Sequence, residues 1–145
     1  MHLVRNLFAL LILLALSVQC ANACSCLKRT DIQKFRDAQA VVVGVVQELH
    51  YVEDQSVFGG GYIRAVIKVS ETLKGKIERR IEVKDQVPEG GMCSSFLRAG
   101  IEFVFFIEEN LEVGMCSGTQ PLGATIYDRP EKIKALQLLK SKAGS

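Results

Sequence analysis

Tryptophan is absent from the 145 residues, proline occurs three times, and histidine only twice, at His2 and His50. His2 lies in an N-terminal segment that reads as removable, so the mature chain keeps one imidazole. That excludes any site needing two histidine ligands. A Ser-His or Cys-His nucleophilic pair would have to use His50, and no G-x-S-x-G, H-E-x-x-H or phosphate-loop pattern accompanies it. His50 reads as a solvated loop residue, and the carboxylate pairs Glu53/Asp54 and Glu108/Glu109 as solvated charge in or beside polar turns. The expectation is a protein that is not an enzyme and needs no cofactor. An excess of charge of one sign is also missing, with 18 Lys and Arg against 16 Asp and Glu. A nearly neutral chain gives no electrostatic case for nucleic acid or an anionic membrane as partner.

A membrane-length apolar run is missing too. The longest, Leu7 to Leu16, is ten residues, closed by Ser17 and Gln19, whereas a spanning helix needs about 20. With Arg5 before it and the small-residue stretch Ala21-Asn22-Ala23 after it, residues 1–23 read as a signal peptide cleaved after Ala23. The mature domain is then 24–145, with a net charge of +1, secreted or periplasmic and expected to be monomeric. Cleavage removes Cys20 and turns an odd count of five cysteines into four: Cys24, Cys26, Cys93 and Cys116. An even number in an exported chain reads as two disulfides. Cys24 and Cys26 are too close to join without strain, which leaves two long-range pairings open. Each bridge closes a loop of about 70 to 90 residues, for which loop-entropy arithmetic gives about 4 kcal/mol as an upper figure. A four-thiolate zinc site would prefer two closely spaced pairs, and only Cys24/Cys26 are close. A lipidated Cys24, as in bacterial lipoproteins, is the one route to a membrane, although Ala21 stands where such sites usually carry Leu.

Thr30 and Gln33 have the spacing of a capping box, and Ile32, Phe35 and Ala38 mark one apolar side, so a short helix is expected here. Val41 to Val46 is β-branched and nearly continuous, as in a strand buried on both faces, with Gly44 marking a bulge or bend. A polar loop follows over Tyr51 to Gly61. A second strand alternates Ile63, Ala65, Ile67 and Val69 against Tyr62, Arg64, Val66 and Lys68. After a turn at 73–76, Ile81 to Lys84 makes a third strand, broken by Pro88-Glu89-Gly90-Gly91; Ile101 to Ile107 makes a fourth and Leu111 to Met115 a fifth. Pro130 and Glu131, then Ile133, Leu136 and Leu139, predict a C-terminal helix. The fold class expected is mainly β: a five-stranded Greek-key barrel of the OB type with a short helix near the N-terminus and another at the C-terminus.

The chemistry left over sits at Cys24-Ser25-Cys26. A free N-terminal residue offers its α-amine and its own carbonyl oxygen, which together can close a five-membered chelate on a metal. The amine pKa lies near 8, and catalytic zinc keeps an open position held by water. A rigidly held amine could occupy that position.

The start Cys24-Ser25-Cys26 with later cysteines at Cys93 and Cys116 resembles the inhibitory domain of the tissue inhibitors of metalloproteinases, a family of the netrin-module class with an OB-type barrel. Weaker matches are Asp37-Ala38 before Ala40 to Gly44, Lys74-Gly75, and Phe103-Val104-Phe105. The third disulfide and the cysteine-rich second domain of the animal members are absent, and Lys28 stands where they usually carry proline. The chain therefore looks like the single-domain bacterial relatives. The resemblance implies pairings Cys24–Cys93 and Cys26–Cys116, with the Cys24 amine and carbonyl chelating a target protease's catalytic zinc. It implies that Ser25 enters the specificity pocket, that Cys26 and Leu27 run along the substrate cleft, and that Gly91, Met92 and Cys93 complete the contact ridge. The partner implied is a zinc metalloprotease; netrin modules also occur as non-inhibitory binding modules for extracellular or envelope proteins, which is the alternative function.

Overall fold

The computed structural model describes residues 26–57, 60–87, 93–123 and 128–143. The expected signal peptide, together with Cys24, Ser25, Gly91 and Met92, lies outside the described residues. In chain order the elements are α1 (Asp31–Asp37), β1 (Ala40–Glu53), β2 (Gly61–Lys74), β3 (Arg80–Gln86), β4 (Glu102–Ile107), a single 3-10 turn (Glu109–Leu111), β5 (Gln120–Pro121) and α2 (Asp128–Ala143). The five strands form one antiparallel sheet in the order β3-β2-β1-β4-β5. Among the described residues the sheet is not closed. A lone parallel bridge between Lys84 of β3 and Glu112 approaches that edge from the segment after β4. No helix among the described residues is long and apolar enough to cross a membrane.

β1 is the central strand because its side chains can be buried on both faces. Val41, Val42, Val43 and Val46 are all fully buried. On one face Val42, Val46, Ile67, Val83, Phe103 and Phe105 form one apolar cluster, closed over by Val113 and Leu97. On the other, Val41, Val43, Val104 and Phe106 pack against Phe35 of α1 and Leu136 of α2, with the Phe35 and Phe106 rings edge to face at 6.5 Å. The helices thus cover one side of the sheet, and the capping box at Thr30 and Gln33 starts α1 as its sequence implies. Lys74 ends it: its ammonium donates to the carbonyls of Phe35 at 3.0 Å and Arg36 at 2.6 Å, and to that of Ala38. A cation there satisfies carbonyls that the helix cannot.

The pairing register of β1 and β2 shifts between Val43 and Gly44. A Cβ at Gly44 would come within 2.7 Å of Ile67 Cγ2 and 2.8 Å of the Lys68 carbonyl oxygen, so the bend needs a residue without a side chain. Three expectations need correction. The loop expected over Tyr51 to Gly61 is shorter, since β1 runs to Glu53 and β2 begins at Gly61, with Tyr51 and Ile63 paired; cross-strand pairing holds polar side chains that sequence polarity had assigned to a loop. Leu73 and Lys74 lie in β2, not in a turn. The fifth strand is at Gln120–Pro121, opposite Val104 and Phe103, and not at Leu111–Met115. There Asn110 and Leu111 take φ of 59° and 61°, a left-handed conformation incompatible with a strand. Leu111 and Met115 are exposed while Val113 is buried, so the alternation is real but the backbone is not extended. The Gly114 amide donates to Ser117 Oγ, and Ser117 Oγ to the Gly114 carbonyl, which satisfies locally what a ladder would have satisfied.

Candidate functional site

Cys26 and Cys116 form a disulfide across 90 residues, with Cα atoms 5.2 Å apart. Cys93 is also disulfide-bonded, and the Sγ atoms of Cys26, Cys93 and Cys116 all lie within 4.8 Å of one another. The three chain segments that carry them meet at one spot. Sulfurs held in disulfides offer no thiolate, so the cluster is a cross-link and not a metal site. The implied pairing of Cys93 with Cys24 falls on a residue outside the described ones, as do the implied roles of Ser25, Gly91 and Met92. Of the remaining expected contact residues, Cys26 is exposed, Cys93 is half-buried, and Leu27 is 86% exposed.

The segment leading from Cys26 is tied down a second time. Arg29 donates from Nη2 to the Cys116 carbonyl at 3.2 Å and to Glu108 Oε1 at 3.4 Å, while Nη1 lies 3.5 Å from Asp37 Oδ2. One planar guanidinium thereby links the N-terminal segment, α1 and the end of β4, a task its fork of donors suits better than an ammonium. Beneath the disulfide lies a cleft of about 350 Å³ whose walls include Tyr62, Lys84, Asp85, Cys93, Glu112 and Cys116. Lys84 Nζ sits 5.4 Å from the centre of the Tyr62 ring.

Asp85 is the unusual member of this wall. It is 3% exposed, and none of the ion pairs among the described residues involves it. Its carboxylate accepts from Ser94 Oγ at 3.1 Å, from the Ser95 amide at 2.9 Å and from the Gln86 amide at 2.9 Å. Burial pushes its pKa up from 3.8 to about 6, and those donors hold it from rising further. The Phe96 amide in turn donates to Ser94 Oγ at 3.1 Å, and Phe96 stands at φ 51° with its ring exposed.

His50 is placed on β1 opposite Arg64 rather than in a loop, because β1 extends past it. Its Nε2 lies 3.2 Å from Glu48 Oε2 on the exposed surface. That hydrogen bond, with help from Arg80, holds Glu48 below the usual carboxylate range. Arg29 and Asp85 did not stand out in the sequence reading. For Asp85 a signal was there: it shares the inward period-two positions of Val83 and Val87, where a carboxylate is out of pattern.

No protein-family model matches the chain, and no curated protein matches it.

Proposed function

We propose that this chain is an exported inhibitor of zinc metalloproteases, similar in mode to the tissue inhibitors of metalloproteinases. Cleavage after Ala23 frees the α-amine of Cys24; this amine and the Cys24 carbonyl close a chelate on the protease's zinc and displace its water. Ser25 then occupies the specificity pocket, Cys26 and Leu27 lie along the cleft, and Gly91, Met92 and Cys93 form the second arm. Cys24 pairs with Cys93, and the open sheet is a partly open Greek-key barrel of the OB type, a reading supported by the Lys84–Glu112 bridge at the β3 edge. The single observation that carries the function is the fastening of the segment two residues after Cys24, by the Cys26–Cys116 disulfide and by Arg29. Chelation is effective only if the amine is already placed, since ordering a free terminus would cost conformational entropy at the moment of binding.

The test is inhibition of zinc metalloproteases by the mature chain and by a chain with one alanine added before Cys24. The mature chain should inhibit. The extended chain should bind more weakly by about 2 to 4 kcal/mol, roughly 30- to 1,000-fold. Equal inhibition by both, or by neither, rejects chelation by the amine. Binding to an extracellular or envelope protein that survives acetylation of the amine would instead identify a non-inhibitory binding module.

A further inference from the structure

We propose that Asp85 is the positioning residue of the Cys93 arm: its carboxylate, carried on β3, holds the turn from Cys93 to Phe96 beside the Cys26–Cys116 disulfide and so shapes the surface that a partner meets. The proposal rests on the reading of Cys93 as part of the contact ridge.

The turn pairs with no strand among the described residues, so its amides find acceptors elsewhere. Asp85 supplies them. One oxygen takes the Gln86 amide, the other takes Ser94 Oγ, and the Ser95 amide lies within reach of both at 3.1 and 2.9 Å. Ser94 Oγ, fixed in this way, accepts the Phe96 amide. The chain then leaves through a left-handed Phe96, a conformation that a phenylalanine adopts only where its surroundings impose it. Next to Asp85, the Lys84 carbonyl accepts the Val113 amide, and the Cys93 carbonyl accepts the Met115 amide. The end of β3 therefore gathers two of the three segments that bring cysteines to the cluster: the Cys116 segment through the main chain of Lys84, and the Cys93 segment through the side chain of Asp85.

A valine, as at positions 83 and 87, would fill this inward position without burying a carboxylate, but it has no acceptor for Ser95. Asparagine has nearly the same shape. It can accept the Gln86 and Ser95 amides through its oxygen and donate to Ser94 Oγ through its nitrogen, although that nitrogen then lies where the Ser95 amide comes within 2.9 Å, so it holds the turn in part, whereas alanine releases it.

The experiment compares the wild-type chain with Asp85→Ala, Ser94→Ala and Asp85→Asn, all at a temperature where each is folded. Amide exchange at Ser95 and Phe96 is read beside inhibition of a zinc metalloprotease. If the proposal holds, Asp85→Ala and Ser94→Ala speed exchange at these two amides by about tenfold or more, the signature of a locally opened turn. Val42 and Val43 of β1 stay unchanged. Both variants also inhibit about tenfold less well, about 1.4 kcal/mol, and Asp85→Asn brings both readouts closer to the wild type than Asp85→Ala does. Should Asp85→Ala fail to fold, Ser94→Ala carries the comparison, because it deletes only a hydroxyl. Unchanged exchange overturns the anchor; faster exchange with undiminished inhibition overturns its role in the contact surface. A wild-type chain that inhibits no zinc metalloprotease removes the contact role together with the proposed function, and the anchor then stands or falls on the exchange rates alone.

Discussion

Replacing Asp85 by asparagine should shift stability in favour of the variant as pH rises through a defined window. The Asp85 carboxyl is raised in the folded state from 3.8 to about 6. A raised value means that folding favours the protonated form. The associated stability is complete below about pH 4 and lost as pH rises through about 6. The difference of about 2.2 pH units corresponds, at 1.36 kcal/mol each, to about 3 kcal/mol lost by the wild-type chain by pH 8. The asparagine side chain of the variant is neutral throughout and loses none of it. The assay is urea unfolding of both chains at intervals from pH 4 to pH 8, with the disulfides intact. For a slope of about 1.5 kcal/mol per molar urea, the midpoint of Asp85→Asn should gain about 2 M on the wild-type midpoint across the window. Comparing the chains cancels other titrations, among them those of Glu48 and Asp54, whose carboxyls are held low by hydrogen bonds. A midpoint gap independent of pH between 4 and 8, or one that closes as pH rises, would refute the claim that burial dominates at Asp85.

Reduction should loosen the fold and abolish any inhibition together. The Cys26–Cys116 bridge closes a 90-residue loop, for which the loop-entropy relation gives about 4 to 5 kcal/mol as an upper value; full inhibition after complete reduction would contradict the scheme. Lys74→Met should cost about 1 to 2 kcal/mol in urea unfolding, because it leaves the carbonyls of Phe35, Arg36 and Ala38 without their ammonium; an unchanged midpoint would show that water replaces it. Gly44→Ala should cost about 1 to 3 kcal/mol, since the added methyl meets Ile67 and the Lys68 carbonyl, and one of the two neighbours is backbone.

The parts of this fold that are legible in the sequence are those dictated by local pattern. The run Val41 to Val46 announces a central strand because β-branched side chains on both faces exclude water from both sides, and all of its valines but Val45 are fully buried. Thr30 and Gln33 announce α1 because the capping box is a contact within three residues. Ile133, Leu136 and Leu139 announce α2, and all three pack on the sheet. What failed was set by a backbone turn and a pairing that composition does not mark. Leu111, Val113 and Met115 alternate like a strand, yet the turn at Asn110 and Leu111 and the hydroxyl of Ser117 bend the chain away. Gln120 and Pro121, which do pair with β4, have no strand-like composition. At the candidate site the cysteines announce themselves by their number and spacing. Arg29 and Asp85 do not, because each owes its role to residues 79, 87 and 10 positions away.

The claim that matters most is that the α-amine and carbonyl of Cys24 bind a metal belonging to another protein. A zinc metalloprotease in which cobalt(II) replaces the zinc reports this directly through its visible absorption. The four-coordinate metal, with three protein ligands and a water, should become five-coordinate when amine and carbonyl replace the water, and the intensity of its bands should fall as the mature chain is titrated in. A chain with its amine carbamylated should leave the spectrum alone. Tight binding of the unmodified chain with no change in the cobalt bands would contradict the account.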